Sequence, residues 1–103
     1  MNNTTSRLSL ILTKDEMNRL NIKEEKGETK IIADVHGMSV NKAKKFINNI
    51  INVVRTKLEL IVVHGYNHGT AIKDMLANVY TNSHITDKYQ DEYNKGVTHI
   101  LAA

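Results

Sequence analysis

A chain of 103 residues, 41% apolar and 24% charged, is the size and composition of one globular domain that needs no metal or disulfide staple. It has no cysteine and no proline, which excludes thiolate catalysis and thiolate metal sites and leaves helices and strands unbroken. The formal net charge of +3 permits a phosphate-rich partner without demanding one.

No run approaches the roughly 20 apolar residues of a membrane span. The opening MNNTTSRLSLIL lacks the basic start and full apolar segment of a signal peptide. A cytoplasmic protein with no membrane partner is therefore expected. Residues 1–29 read as an N-terminal appendage. Leu8, Leu10 and Leu12 alternate, which suggests a short strand. Thr13 to Glu16 fits a capping box, in which a threonine hydroxyl and a glutamate carboxylate satisfy reciprocal backbone donors. A short helix with Met17 and Leu20 should follow, and the charged stretch Asn21 to Lys30, with Gly27, suits a linker.

Residues 30–103 carry the main pattern. Ile31 to Val35 reads as a strand buried on both faces. Ser39 is a candidate N-cap. Val40, Ala43, Phe46, Ile47, Ile50, Ile51 and Val54 then step by three and four, as on an amphipathic helix. Its other side, with Lys42, Lys44, Lys45, Asn48 and Asn49, reads as solvated. Leu58 to Val63 is a second strand. Ala71, Ile72, Met75, Leu76, Val79 and Tyr80 mark a second helix with Thr70 as candidate cap. Ile85 to Tyr89 is a third strand with one wet face, and Val97 to Leu101 a fourth after the Asn94-Lys95-Gly96 turn. The order β-α-β-α-β-β implies a parallel pair with right-handed crossovers and an antiparallel closing pair. The expected fold is α/β: a two-layer sandwich of a four-stranded mixed sheet with two helices on one face. The other face is open or covered by the appendage.

Two apolar runs end in His-Gly, IIADVHG at 31–37 and IVVHG at 61–65. Strand ends of open α/β sheets leave a crevice in which ligands bind. Asp34 and His36, two apart, should leave one face of the first strand. A carboxylate beside an imidazole fixes its tautomer and prepares a general base or acid. Equally, Asp34 could cap the following turn while His36 bonds to backbone. In the second corner, His64-Gly65-Tyr66-Asn67-His68-Gly69, the glycines let backbone approach a ligand, and the helix start near Thr70 favours an anion. The Gly-Lys-Ser/Thr ending of a nucleotide P-loop is missing, which disfavours an NTPase. No cofactor is firmly implied. A divalent zinc or manganese held by Asp34, His36, His64 and His68 is an alternative. His84 and His99 read as structural, Tyr89 and Tyr93 as packing residues, and Tyr80 as part of the second helix's apolar stripe.

These motifs resemble the Smr (small MutS-related) domain family. Ala33-Asp34-Val35-His36-Gly37 is similar to its Leu-Asp-Leu-His-Gly signature, and His64-Gly65-Tyr66-Asn67-His68-Gly69-Thr70 to its His-Gly-x-Gly-x-Gly loop. Asn94-Lys95-Gly96-Val97-Thr98-His99-Ile100-Leu101 is similar to its final strand. The resemblance implies a βαβαββ fold like the C-terminal domain of translation initiation factor three. It also implies nucleic-acid binding and, in several members, endonuclease activity on RNA or DNA. Asp34 and His36 would then match the cleavage positions, and His64, Gly65 and Gly69 the substrate loop. Tyr66 and Asn67 stand where the family often has a basic residue and a further glycine. His68 or Lys73 could supply the missing cation.

Three functions compete. The first is an endonuclease using Asp34 and His36, for which RNA is chemically easier because its own 2′-hydroxyl is the nucleophile. The second is a non-catalytic nucleic-acid or ribosome-binding module using the same corners and the lysines of the first helix. The third is a metal-dependent hydrolase of a small phosphorylated molecule. RNA versus DNA, and oligomeric state, are open at this level.

Overall fold

The computed structural model describes residues 3–66 and 69–103. Helix α1 (Asn3–Ser9) and helix α2 (Lys14–Asn18) precede a hairpin of β1 (Leu20–Glu25) and β2 (Glu28–Asp34). Helix α3 (Val40–Val53), β3 (Lys57–Val63), α4 (Ala71–Asp74) with a π-turn (Met75–Val79), β4 (Ile85–Gln90) and β5 (Val97–Ala102) complete the chain. The mixed sheet has five strands in the order β1-β2-β3-β5-β4. Among the described residues only β2 and β3 pair in parallel, in register from Glu28↔Lys57 to Asp34↔Val63. The pairs β1–β2, β3–β5 and β4–β5 are antiparallel.

The fifth strand corrects the expected four. The stretch read as a linker is β1 and its turn, and the hairpin closes on Lys26 (φ 42) and Gly27 (φ 82). Positive φ at both central residues is the geometry that matches the right-handed twist of a two-residue hairpin. The segment read as a strand at Leu8 to Leu12 is helical instead, α1 continuing in turns to Leu12, whose N–H donates to the Leu8 carbonyl (2.9 Å). Leu8 and Leu12, four apart, are buried in the core, while Leu10 is 84% exposed. The capping box on α2 forms as expected: Glu16 N–H donates to Thr13 Oγ1 (3.1 Å) and Thr13 N–H to Glu16 Oε1 (2.8 Å).

One face of the sheet carries the core. Ile31, Ala33 and Val35 from β2 and its end, Leu58, Leu60 and Val62 from β3, and Ile100 from β5 pack against Phe46, Ile47 and Ile50 of α3. Helix α1 packs beside α3, adding Leu8 to the same core. The opposite face, with Glu28, Lys30 and Ile32 of β2, is exposed. This corrects the reading of the first strand as buried on both sides: burial alternates along β2, and only the face carrying Ile31 and Ala33 joins the core that α3 packs on. Ser39 caps α3 as expected, its hydroxyl accepting from Lys42 N–H (3.1 Å). Asn48, expected to be solvated, instead bridges to the other helical segment: its Oδ1 accepts from the Tyr80 hydroxyl (2.9 Å) and Asn82 Nδ2 (2.9 Å).

The second helix departs most from its pattern. It makes one α-turn and then widens, with Tyr80 N–H donating to the Met75 carbonyl (2.8 Å). That five-residue step keeps Met75 and Tyr80 inward and leaves Val79 65% exposed. Lys88, in the strand read as having one wet face, reaches the helical segment. Its Nζ donates to the carbonyls of Leu76 (2.7 Å) and Tyr80 (2.5 Å), groups that the end of the π-turn leaves free. Among the described residues, no helix is long and apolar enough to cross a membrane.

A candidate nucleic-acid site at the strand ends

Because β2 and β3 are parallel neighbours in register, their C-terminal ends fall side by side. Both His-Gly corners open on one cleft of about 420 Å³, with His36, Gly37 and Ser39 on one wall and Gly65, Tyr66 and Lys73 on the other. Gly37 (φ 82), Gly65 (φ 73) and Gly69 (φ 114) occupy the left-handed region that favours glycine.

Asp34 ends β2 and His36 lies in the turn beyond it. They meet through that turn rather than through the face of a strand. Asp34 Oδ1 accepts from His36 N–H (3.1 Å) and from His36 Nδ1. The same carboxylate thus caps the turn and holds the imidazole. A carboxylate can only accept, so Nδ1 carries the proton and Nε2 is left as an acceptor. The two side chains are 69% and 42% exposed, within reach of a solvent-borne ligand.

Residue Arg19, assigned to the appendage in sequence, holds this corner. Its Nη1 donates to the carbonyls of Asp34 (3.1 Å) and His36 (3.2 Å), and its own carbonyl accepts from Asp34 N–H (3.0 Å). Nothing in the local sequence around Arg19 signals that role, which depends on β1 pairing with β2. Replacing Arg19 with alanine is expected to leave a folded protein whose His36 and Gly37 amides exchange with solvent at least about tenfold faster, a change of roughly 1.4 kcal/mol. Unchanged exchange at both amides would remove Arg19 from this role.

His64 is turned inward. A carbonyl can only accept, so His64 Nδ1–H donates to Gly65 O (2.7 Å), and Nε2 then accepts from the Thr98 hydroxyl (2.8 Å). Burial, opposed by the bond to the Gly65 carbonyl and aided by the Lys73 charge, lowers its pKa below the ordinary imidazole value. His64 is therefore a neutral brace of the corner. As pH falls below about 6.5 the unfolded chain takes up a proton that the folded one resists. Its contribution to stability is complete above that pH and is lost on acidification through the folded value. The thermal midpoint of wild type should fall between pH 7 and pH 5 more steeply than that of His64→Gln; equal slopes would contradict the assignment.

The corner has a second brace. The Gly96 carbonyl accepts from both His64 N–H (2.9 Å) and Gly65 N–H (3.0 Å), and a Cβ at Gly96 would stand 3.0 Å from Gly65 Cα. The turn carrying Gly96 is fixed by Asp91, which accepts from Tyr93 N–H (3.1 Å), Asn94 N–H (2.9 Å) and, through its other oxygen, His99 Nε2 (2.7 Å). The His99 bond, with the Tyr93 and Asn94 amides, holds the Asp91 carboxyl below the usual carboxylate range. His99 is structural, as expected, and it stacks on Tyr89 at 4.8 Å between centroids. Tyr93, expected to pack, is 92% exposed.

Of the other expected site residues, Asn67 and His68 lie outside the described residues. Thr70 sits at the N-terminus of α4 but caps no amide; its hydroxyl donates to Asp74 Oδ2 (2.9 Å). With α4 a single turn, the anion-attracting helix start expected there is short, and the cleft's longer helix is α3, which begins at Val40 beside His36. Among the described residues, no group of three or more His, Asp or Glu is placed to hold a metal ion. His64 would have to give up its bond to Thr98 or to Gly65 to become a ligand. No family model matches the chain, and a search of curated proteins finds no match.

Proposed function

We propose that the chain is an Smr-like nucleic-acid-binding domain, similar in fold to the C-terminal domain of translation initiation factor three, and that it is an endonuclease cleaving RNA or nicking DNA. The observation that carries this reading is the shared cleft: an exposed imidazole oriented by a carboxylate faces a glycine turn and a lysine across a space that holds about one nucleotide. On RNA, His36 Nε2 takes the proton of a 2′-hydroxyl as that oxygen attacks the adjacent phosphorus. The 5′-oxygen leaves and is protonated by water. Lys73 and the first amides of α3 hold the phosphate as charge builds on it. Asp34 keeps the tautomer correct and stabilises the imidazolium that forms.

A second reading, a non-catalytic nucleic-acid or ribosome-binding module, is favoured by Tyr66, which stands where the resembled Smr loops often carry a basic residue. The two separate in one assay. Labelled single-stranded RNA and supercoiled DNA are incubated with wild type and with an Asp34→Asn/His36→Ala double variant, with and without EDTA. The nuclease reading expects wild-type cleavage that the double variant lacks. Equal cleavage by both would place the activity elsewhere, and salt-sensitive binding without turnover would leave the binding module.

A further inference from the structure

We infer that the bound nucleic acid is single-stranded and lies along the rim of the sheet, across the strand ends, with bases against Tyr93 and Tyr66 and backbone passing His36 toward Arg19. This rests on the nucleic-acid reading above and specifies its substrate. The sheet order brings these residues to one rim. Arg19 precedes β1, whose first residue pairs with Ala33 near the end of β2; His36 and Tyr66 follow β2 and β3; Tyr93 lies in the turn joining β4 to β5, where Val97 pairs with Val63. The groups therefore occur in the spatial order Arg19, His36, Tyr66, Tyr93. Four strand spacings of about 4.8 Å make that rim about 19 Å long, a span of several nucleotides.

Tyr66 is 49% and Tyr93 92% exposed, so each of the two turns that meet at Gly65 and Gly96 carries a large aromatic surface facing solvent. An exposed ring offers a π-face that any unstacked base can cover, whereas paired bases in a duplex have both faces occupied. Cations accompany the track: Lys73 at the cleft, Arg19 in the groove on the other side of His36, where its Nε also pairs with Asp15 (3.4 Å), and Lys95 two residues after Tyr93. Two of the rim's acids are already engaged, Asp34 by His36 and Asp91 by His99. His36 borders both the cleft and the groove that contains Arg19, so a strand running between them passes over its imidazole.

The test is equilibrium binding of fluorescein-labelled oligonucleotides, single-stranded RNA, single-stranded DNA and a duplex of the same sequence, to wild type, Tyr66→Ala, Tyr66→Phe, Tyr93→Ala and Tyr93→Phe. Wild type should bind a single strand at least about tenfold more tightly than the duplex. Each alanine variant should lose roughly five- to 160-fold in single-strand affinity, the range for one base–aromatic stack, while each phenylalanine variant stays within about twofold. Both side chains are exposed, so the fold survives these changes. Preference for RNA over DNA would assign a 2′-hydroxyl contact, and equal binding would assign stacking and phosphate alone; either is compatible with the rim track. Duplex bound as tightly as single strand, or Tyr93→Ala binding like wild type, would overturn the track and leave the nucleic-acid reading standing. Binding of no oligonucleotide would defeat that reading itself.

Discussion

His36→Ala should lower the rate of RNA cleavage by about 10²- to 10⁴-fold, the usual contribution of a general acid–base group, with the thermal midpoint unchanged because the side chain is largely exposed. Asp34→Ala should approach the same loss, since it removes the acceptor that selects the Nδ1–H tautomer and caps the turn. Asp34→Asn should lie between. Its amide oxygen can still accept from Nδ1–H, but a neutral bond is roughly half as strong as a charge-assisted one. Groups that act as a unit are not additive, so the double variant should be no slower than His36→Ala alone. Single-turnover rates on one labelled RNA make the comparison. Additive losses in the double variant would mean that the carboxylate and the imidazole act on different steps.

Leu8→Ala should destabilise the protein by about 2–5 kcal/mol, the range for emptying a fully buried leucine site. In a domain this small that lowers the thermal midpoint by at least about 10 °C. Leu8 is completely buried beneath α3 although it lies in the segment that looks most dispensable. Deleting residues 1–26 should be more severe. It uncovers the same core site, strips β1 from the edge of β2 and removes the Arg19 bonds to Asp34 and His36. Circular dichroism melts of both proteins provide the check, and a truncated chain that melts like wild type would show that the first helix and strand contribute nothing to the sheet.

Those two results mark where sequence patterns suffice and where they fail. The strands around Ile31, Leu58 and Val97 and the Ser39-capped helix are legible because long apolar runs and a 3.6-residue stripe have few competing interpretations. Residues 1–29 were opaque for definite reasons. Leu8, Leu10 and Leu12 fit an alternating strand and, through Leu8 and Leu12, a helical turn equally well over so short a stretch. The strand Leu20 to Glu25 is charged because one face meets solvent and it lies at the sheet edge, and its Lys26-Gly27 turn lacks the Asn-Gly or Asp-Gly that announces a hairpin. The carbonyls that the π-turn at Met75 leaves free are met by Lys88 reaching back from a later strand, which no local window contains.

The site divides along the same line. Asp34, His36 and the glycines were visible because charged and conformationally special residues interrupt apolar runs. Their supports were hidden: Arg19, Thr98, Gly96 and the Asp91–His99 bond are distant in sequence and meet only through strand pairing. His64 shows how a local pattern can suggest one role and tertiary structure another. Its motif reads as ligand-binding, and the Thr98 hydroxyl and Gly65 carbonyl turn it into a brace.

A titration of ¹⁵N-labelled protein with a short single-stranded RNA, followed by amide chemical shifts, asks whether the two strand-end turns serve one bound strand. Gly37, Gly65 and Gly69 should move together and saturate at a single concentration. Shifts confined to the exposed sheet face, around Ile32 and Lys30, with all three glycines silent, would contradict the account.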